Sequence, residues 1–287
     1  MANIIDLPDF MFNRIDRNKI PRLKKITLFI KGLIVGFINK HASGKTYTRL
    51  INLMFTKANI EFDDGLYRKK IDDKFTIYYP NKRIDRVILD PKENFDFLFI
   101  SYCLDKVDFK KDDLVVDCGA NVGELFFSFY YKNLKIQYIA FEPDNKVFLC
   151  LNKNLQNTNS KTYNQALSNN NLEKTIYIDT HGANSSLIKF GEGLKEDKVE
   201  CTTLDSLNFE KIKLLKLEAE GFEFEILEGS KKTLSKIEYI SVDYGPERGQ
   251  NSELTIGKVT NFLFENNFEM VDGSKTRYIG LFKNKSF

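Results

Sequence analysis

The stretch Leu114-Val-Val-Asp-Cys-Gly-Ala-Asn-Val-Gly123 is the most informative part of this chain. An apolar strand ends at Asp117, and a glycine-containing turn then leads into an aromatic helix. A strand, a glycine turn and a helix form the first unit of a nucleotide-binding α/β sheet, which binds ligands at the carboxyl ends of its strands. We expect Gly119 to let the backbone approach a ligand and Gly123 to let the helix pack closely on its strand.

An acid at the end of the next predicted strand fits the same unit. Glu142 ends the apolar run that begins at Ile136, 25 residues after Asp117, and Pro143 stops the strand. An acid in this position accepts hydrogen bonds from ribose hydroxyls. The sequence therefore predicts an adenosine-containing ligand at this edge of the sheet.

The glycine spacing separates two classes of nucleotide. A dinucleotide fingerprint reads G-x-G-x-x-G, and its second glycine makes room for a pyrophosphate. Asn121 occupies that position here, so D-x-G-x-N-x-G better suits a ligand that joins adenosine to an amino acid. Asp117 would hold its ammonium, and backbone N–H groups at the helix start would hold its carboxylate. We predict S-adenosylmethionine as the cofactor; the alternative is a structural glycine turn in an unliganded domain.

Seven sequence blocks in this part of the chain resemble the FkbM family of S-adenosylmethionine-dependent methyltransferases. They follow one another in the right order from Asp113 to about Tyr244. The blocks are Val116-Asp-Cys-Gly-Ala-Asn-Val-Gly123, Phe141-Glu-Pro143, the Asn152/Asn154 region, Gln165-Ala-Leu167, Thr203-Leu-Asp205, Leu215-Lys-Leu-Glu-Ala-Glu-Gly-Phe-Glu223 with Leu227-Glu-Gly229, and Asp243-Tyr-Gly-Pro-Glu-Arg248.

The resemblance implies a class I methyltransferase fold, a Rossmann-like, seven-stranded, mostly parallel sheet with helices on both faces. It implies, most often, O-methylation of a sugar or related natural product. The family usually reads K-I-D-x-E-G, and Glu218 stands where the Asp would be. The predicted cofactor-binding residues are Asp117, Gly119, Asn121, Gly123, Glu142, Pro143 and Ala166.

The strand predicted at 212–218 carries the first candidates for catalysis. Glu218 and Glu220 follow its apolar part and alternate onto one side of the strand tip. A sugar hydroxyl is a weak nucleophile, and a general base adds roughly 10²–10⁴-fold to the rate. Either glutamate can serve as base, substrate ligand or partner of the methionine amine, whereas we read Glu223, in the first turn of the next helix, as structural.

Further candidates lie in a loop and at the end of the next strand. His181 in Asp179-Thr-His-Gly-Ala-Asn-Ser-Ser-Leu187 is a possible base, although a solvated loop histidine is the commoner case. Asn184, in the same loop, is a candidate substrate ligand. The other two are Asp243, which closes a predicted strand, and Arg248, for which a surface ion pair with Glu247 is equally consistent with the sequence.

Two other kinds of site are not favoured by the sequence. Gly44-Lys-Thr46 is similar to the end of a P-loop, but Asn39 replaces its first glycine and no apolar strand precedes it. Oxygen ligands of Glu218, Glu220 and Asp243 would suit magnesium. Because no D-x-x-D or histidine cluster accompanies them, we predict no metal.

The composition indicates a folded chain with a strongly basic segment near its start. Of its 287 residues, 42% are hydrophobic, and the four cysteines show no zinc or C-x-x-C spacing. Reduced cysteines and the lack of a signal-peptide pattern predict a cytoplasmic protein. Ten basic residues and one acid between Arg14 and Arg49 give a local charge of +9, against a net charge of +3. This segment predicts helix packing, on the catalytic domain or in a homo-oligomer, or peripheral contact with the inner membrane face.

Two parts of the chain differ in their predicted structure. Residues 1–93 form an N-terminal extension, with helices from Pro21 to Lys57 and a hairpin of Lys74–Tyr79 with Arg86–Asp90. The catalytic domain, residues 94–287, begins with an aromatic helix and then alternates strands and helices. The parallel strands are predicted at 114–117, 136–141, 161–166, 212–218 and 237–243, the helices near 122–132, 144–155, 222–233 and 252–266, and a closing hairpin at 269–271 and 278–282.

The preferred function is an S-adenosylmethionine-dependent O-methyltransferase with a small-molecule or glycan substrate. A nucleic-acid methyltransferase fits the basic segment, but the acidic catalytic part repels phosphates and no N/D-P-P-F/Y motif is present. A nicotinamide oxidoreductase shares the Asp117 and Glu142 geometry but not the glycine spacing. A non-catalytic, membrane-associated module on the same fold is the third alternative.

Overall fold

The structure, a computed structural model, describes residues 22–179 and 184–287, apart from the side chains of residues 22–25 and Leu28. The chain divides into two compact units, Met1–Asn94 and Phe95–Phe287. His181 lies outside the described residues.

The described part of the first unit, from residue 22 onward, contains two long α-helices and a three-stranded antiparallel sheet. Its elements are α1 (Arg22–His41), α2 (Gly44–Met54), β1 (Ile60–Asp63), β2 (Leu66–Lys70) and β3 (Thr76–Tyr79), with strand order β1-β2-β3. The predicted helical segment is therefore confirmed. Tyr47, Ile51 and Phe55 form its buried face, whereas Leu50 is 37% exposed.

The predicted hairpin of Lys74–Tyr79 with Arg86–Asp90 is wrong in its second half. β3 pairs with β2, and Lys82–Val87 forms a 3₁₀ helix. Asn81 caps this helix by accepting a hydrogen bond from the Arg83 N–H at 2.9 Å. Ile84 and Val87 of this segment are buried at the i, i+3 spacing of a helix and do not alternate along a strand.

The second unit contains a helix that begins at the boundary, then alternating strands and helices. Its elements are α3 (Pro91–Ser101), β4 (Leu114–Cys118), α4 (Glu124–Tyr131), β5 (Gln137–Phe141), α5 (Asn145–Leu155), β6 (Ser160–Tyr163), β7 (Ala166–Leu167), β8 (Lys174–Ile178), β9 (Ser185–Ser186), β10 (Lys195–Val199), β11 (Cys201–Thr202), β12 (Ile212–Leu217), α6 (Glu223–Glu228), β13 (Ile237–Asp243), β14 (Pro246–Arg248), β15 (Glu253–Leu254), α7 (Ile256–Glu265), β16 (Phe268–Gly273) and β17 (Ile279–Asn284).

Seven of these strands form the central sheet, in the order β16-β17-β13-β12-β4-β5-β6. The five strands from β13 to β6 run parallel, and β17 runs antiparallel to both of its neighbours. Separate clusters of buried apolar side chains lie around the sheet. The predicted seven-stranded, mostly parallel α/β sheet with a closing hairpin is confirmed.

The strand order places a crevice beside β4. From β4 the chain passes outward to β5 and β6, and it later returns to the other side of β4 as β12. Open α/β sheets bind ligands where the strand order reverses in this way, at the carboxyl ends of the strands. The predicted site residues Asp117, Glu142, Glu218 and Asp243 are found at this edge.

The region between the third and fourth parallel strands has more structure than the sequence predicted. β10, β8 and β9 form a small antiparallel sheet, and β7 pairs in parallel with β11. The third parallel strand ends at Tyr163, so Ala166 belongs to β7 and pairs with Cys201. The segment predicted as a loop from Asp179 starts at the end of β8 and returns as β9.

Candidate functional site

Four parallel strands bring acidic residues to one edge of the sheet. Asp117 lies in β4, Glu142 directly follows β5, Glu218 follows β12 and Asp243 ends β13. Asp117, Glu142 and Asp243 are buried, and the Glu218 side chain is 25% exposed. The sequence prediction that these residues share one edge is confirmed by the strand pairing.

The glycine turn after β4 uses its own amides internally. The N–H groups of Gly119 and Ala120 both donate to the Phe141 carbonyl at 3.0 Å. Asn121 donates to Glu142 Oε2 at 2.9 Å, and Val122 and Gly123 donate to acceptors within the turn. The amides from Gly119 to Gly123 thus have acceptors within the protein, and the contact of a ligand carboxylate with amides at the helix start stays a prediction.

The two glycines of the turn are required by neighbouring chain segments. A Cβ atom on Gly119, whose φ is +70°, would lie 1.9 Å from the Glu218 carbonyl oxygen. A Cβ on Gly123, whose φ is +88°, would lie 3.0 Å from Leu151 of α5. Gly119 thus permits close approach of the end of β12, whereas the sequence predicts approach of a ligand at this glycine. Gly123 permits packing against α5, whereas the sequence predicts packing of its helix on its own strand.

Glu142 is held in position by two backbone amides. Its Oε2 accepts from the Asn121 N–H and its Oε1 from the Asp144 N–H, both at 2.9 Å. Asn121 adopts the left-handed conformation with φ of 51°. A carboxylate has about four acceptor positions, so about two remain for hydroxyl donors. Burial raises the pKa of Glu142 to about 7.

Asp117 is paired within the protein. It is completely buried, and its Oδ1 lies 2.9 Å from Lys216 Nζ. Its Oδ2 accepts a hydrogen bond from the Tyr138 hydroxyl. Lys216 Nζ also donates to the Gly119 carbonyl at 2.8 Å. A ligand ammonium would have to replace Lys216, so Asp117 acts on the site through that lysine.

Glu218 connects Lys216 to Arg277, which lies in the turn between β16 and β17. Its carboxylate lies 3.3 Å from Lys216 Nζ and accepts hydrogen bonds from Tyr102 and Arg277. Arg277 Nη2 also donates to Asp243 Oδ2 at 2.8 Å. Two cations and three carboxylates thus alternate across the ends of β4, β12 and β13.

These contacts keep Glu218 ionised and make it a poor base. Burial would raise its pKa, but Lys216, Arg277 and the Tyr102 hydrogen bond together hold the pKa well below the usual range. A carboxylate with so low a pKa accepts a proton weakly near neutral pH. The structure therefore argues against Glu218 as general base and supports its role in positioning charge.

The turn after β12 is fixed by Glu223. Its Oε1 accepts hydrogen bonds from the Ala219 N–H at 2.9 Å and the Gly221 N–H at 3.1 Å. Glu220 between them has a φ of 49°, which is left-handed. The Glu220 carbonyl accepts from Ser186 Oγ at 2.9 Å, which ties β9 to this turn. The structural reading of Glu223 is confirmed.

Glu223 should lower the stability of the ligand-free protein as the pH rises. Burial raises its pKa to about 7, compared with about 4.3 for an unfolded glutamate. Between these values the unfolded chain has lost a proton that the native protein still holds, so rising pH favours unfolding. Above a pH of about 7 both states are ionised and the effect stays constant.

Glu223→Gln keeps an acceptor for the two amides but does not titrate. We expect the difference in melting temperature, variant minus wild type, to increase as the pH rises from about 4.5 to about 7. Above a pH of about 7 this difference should stay constant. Thermal unfolding of both proteins in a series of buffers measures this difference. A difference in melting temperature that does not change with pH would contradict this prediction.

Glu247 lies at the same edge, on β14. It is half-buried and interacts electrostatically with Glu220, Asp243 and Glu218. Burial and these three carboxylates raise its pKa to about 8. Among the described residues, no hydrogen bond or ion pair engages its carboxylate. It therefore combines access to the site with a proton affinity suited to general-base chemistry near neutral pH.

Arg248, predicted to bind substrate, is engaged inside the protein. Its guanidinium donates to both carboxylate oxygens of Glu225, at 3.0 and 2.7 Å, and to the Gly221 carbonyl at 2.7 Å. The predicted pair with Glu247 is not formed. Arg248 instead fixes the turn that follows β12.

The remaining predicted residues lie around this edge. The Pro143 carbonyl accepts a hydrogen bond from Asn164 at 3.2 Å, and Ala166 is buried in β7. The Asn184 carbonyl accepts from the Asp179 N–H at 2.9 Å, closing the segment that contains His181. Within residues 22–179 and 184–287, no group of three or more His, Cys, Asp or Glu is placed to hold a metal ion.

Three residues of the network were not predicted from the sequence: Tyr102, Lys216 and Arg277. Lys216 carries a usable signal, because a lysine inside the apolar strand Leu214–Leu217 needs a buried acidic partner. Arg277 follows a polar turn and Tyr102 lies among other aromatic residues, so neither is distinguished from its neighbours.

Comparisons with known proteins identify a family for most of this region. Residues 117–270 match the family model of the methyltransferase FkbM domain. Methyltransferase 1 of Beauveria bassiana is 26% identical over 161 residues, which cover 46% of this chain and 64% of the relative. The chain thus spans less than two thirds of the length of that relative.

Solved structures overlap this chain at low sequence identity. Methyltransferase FkbM from Methylobacillus flagellatus has a TM-score of 0.44 and 15% identity, with 62% of this chain and 45% of that chain covered. Precorrin-6y C5,15-methyltransferase from Geobacter metallireducens has a TM-score of 0.40 and 12% identity, with 75% and 98% covered.

The strand order, and the acid that follows β5, are those of a class I methyltransferase fold. Because the family match covers more than half of the sequence, the chain belongs to the FkbM methyltransferase family. The cofactor is S-adenosylmethionine. Glu142 fits its ribose hydroxyls, because the amides of Asn121 and Asp144 orient its carboxylate and leave acceptor positions free. Asp117 does not fit the predicted contact with the methionine ammonium while Lys216 occupies it.

Proposed function

We propose that the protein transfers the methyl group of S-adenosylmethionine to a hydroxyl of a sugar, in a glycan, a glycolipid or a natural-product glycoside. The observation that carries this proposal is the position of Glu247. Its carboxyl group lies beside the strand ends at which the cofactor binds, and its pKa of about 8 suits removal of a proton from an acceptor. The family resemblance supports a sugar hydroxyl as that acceptor.

The chemistry assigns separate tasks to these residues. The cofactor supplies an activated methyl group, so the protein has to align donor and acceptor, which accounts for about 7–11 kcal/mol of the barrier. Glu142 holds the cofactor side, and the network of Lys216, Glu218 and Arg277 fixes the end of β12. Glu247 accepts the hydroxyl proton as the oxygen–carbon bond forms.

One strand outside the central sheet is attached to this edge. Ser186 ties β9 to the turn after β12, whereas His181, a proposed alternative base, lies outside the described residues. Asn184 and Asp243 remain proposed substrate ligands. Glu220 remains a proposed catalytic residue, as a second carboxylate beside Glu247. We also propose a cytoplasmic location, which four free cysteines allow.

The test measures transfer of a labelled methyl group by the full chain. Free sugars, glycolipids and structured RNA are offered as acceptors, and binding of S-adenosylhomocysteine is titrated by calorimetry in parallel. We expect cofactor binding and base-stable labelling of a sugar acceptor. Labelling of RNA alone, or cofactor binding without any labelled sugar, would overturn the proposal.

Glu247→Gln should lower kcat about a hundredfold because it removes the proton acceptor. In the wild type, activity should rise with pH until Glu247 is ionised, above its pKa of about 8. The variant should lose this rise and keep its affinity for S-adenosylhomocysteine. Glu253→Gln on the paired strand β15 is the matched control, because Glu253 is exposed. Equal kcat values in the wild type and Glu247→Gln would exclude this role.

A further inference from the structure

The helix α1 has an apolar face that the described residues of the chain leave uncovered. Six large apolar side chains on it are 40–66% exposed: Ile26, Phe29, Ile30, Leu33, Ile34 and Phe37. At 3.6 residues per turn they fall on one side of the helix. Isolated exposed apolar residues are common, but a continuous face of this kind marks an interaction surface.

The opposite side of α1 is fixed within the first unit. Val35 and Ile38 are 1% and 6% exposed. The ammonium of Lys31 lies 4.3 Å from the ring centre of Phe55. The Asn39 carbonyl accepts a hydrogen bond from Lys82 at 2.6 Å. The exposed apolar face is therefore directed away from the body of this unit.

The surrounding sequence carries one sign of charge. Between Asp16 and Glu61 there are ten basic residues and no acid. Lys40, Lys45 and Arg49 are exposed among the described residues. An apolar helix face in a basic segment matches the two components of an anionic lipid surface, the acyl chains and the phosphates.

The length of α1 bears on how such a surface is used. The helix has 20 residues, about 30 Å at 1.5 Å per residue. Among the described residues, no helix combines the length and the apolar character needed to cross a membrane. Interfacial helices lie along the membrane plane with one face in the headgroup and acyl boundary.

We propose that α1 binds the surface of an anionic lipid bilayer, with its apolar face inserted between the acyl chains. The basic residues of the segment contact the lipid phosphates. A second copy of the chain would also cover the apolar face, but it would bring two segments of the same charge together. Charge complementarity therefore favours the lipid. This proposal does not rest on the methyl-transfer reaction.

The test is sedimentation of the full chain with vesicles. We expect binding to vesicles of equal parts phosphatidylcholine and phosphatidylglycerol, little binding to phosphatidylcholine alone, and weaker binding at high salt. The double variant Leu33→Ser/Phe37→Ser should weaken binding about tenfold or more. The control, Leu172→Ser/Phe264→Ser, changes side chains that are 69% and 49% exposed elsewhere and should bind normally.

Three results would overturn the proposal. They are an absence of binding to anionic vesicles, equal binding to both vesicle types, and equal loss in the control variant. Light scattering of the lipid-free chain tests the other occupant. A dimer that Leu33→Ser/Phe37→Ser converts to a monomer would assign the face to a second copy.

Discussion

Replacing Gly119 by alanine should destabilise the ligand-free protein by more than about 4 kcal/mol, which is beyond the range of ordinary substitutions. The new Cβ atom would lie 1.9 Å from the Glu218 carbonyl oxygen, and a backbone atom cannot rotate away as a side chain can. The two strand ends would have to separate. Urea unfolding of the wild type and the variant without cofactor measures the effect.

Gly65→Ala is the matched control for this prediction. Gly65 also has a positive φ, of +77°, but nothing lies within 4 Å of its added Cβ. It should therefore lose only the roughly 1–2 kcal/mol of a left-handed alanine. If Gly119 served a ligand alone, Gly119→Ala would unfold like Gly65→Ala and fail only in binding S-adenosylhomocysteine.

Replacing Lys216 by methionine should destabilise the protein by about 3–5 kcal/mol, because it leaves buried charge without a partner. Asp117 is fully buried, and among the described residues it would lose its one ion-pair partner, while Glu218 would lose one of the two cations that the same residues provide. Lys213→Met in the same strand is the control. Lys213 has one carboxylate partner, Glu238, which retains 14% exposure and contacts Lys211 as well. Its loss should cost less.

Adding Asp117→Asn to Lys216→Met should recover part of this loss, since the orphaned charge is then removed. Chemical denaturation of the wild type, both single variants and the double variant forms a thermodynamic cycle. A strong favourable coupling is expected. If Lys216→Met were as stable as the wild type, or if the two substitutions simply added, the ion pair would not be the source of stability.

The central sheet followed from the sequence because its signals are local. The apolar run before Asp117, the glycine turn, and Glu142 followed by Pro143 each specify a strand end within a few residues. Such signals also exist where the sequence analysis missed them. Asp64 and Gly65 have φ values of 54° and 77° in the β1–β2 turn, and Asp-Gly is a strong hairpin signal.

The incorrectly predicted hairpin in the first unit shows that the apolar residues of a short segment can fit both a helix and a strand. Ile84, Val87 and Ile88 are completely buried, at the i, i+3, i+4 spacing of a helix. The run from Arg86 to Asp90, taken alone, is apolar enough for a strand. The Asn81 cap and the earlier isoleucine decide between the two, and they lie outside that run.

The charged network could not be predicted from the sequence, because its contacts depend on strand register and on segments that are distant along the chain. Lys216 stands opposite Asp117 only through the pairing of β12 with β4. Arg277 reaches Glu218 and Asp243 from the turn between β16 and β17. The same reason explains Arg248, whose partner Glu225 is 23 residues away and on another element.

The order of these residues along the chain has a consequence for folding during synthesis. Tyr102, Asp117, Lys216, Glu218 and Asp243 all leave the ribosome before Arg277 does. Until Arg277 emerges, the described residues offer Asp243 no cation and offer Glu218 Lys216 alone. Domains fold from the N-terminal side while the chain is synthesised at about 5–20 residues per second. The charged network at the ends of β4, β12 and β13 therefore stays electrostatically incomplete until the turn between β16 and β17 is added.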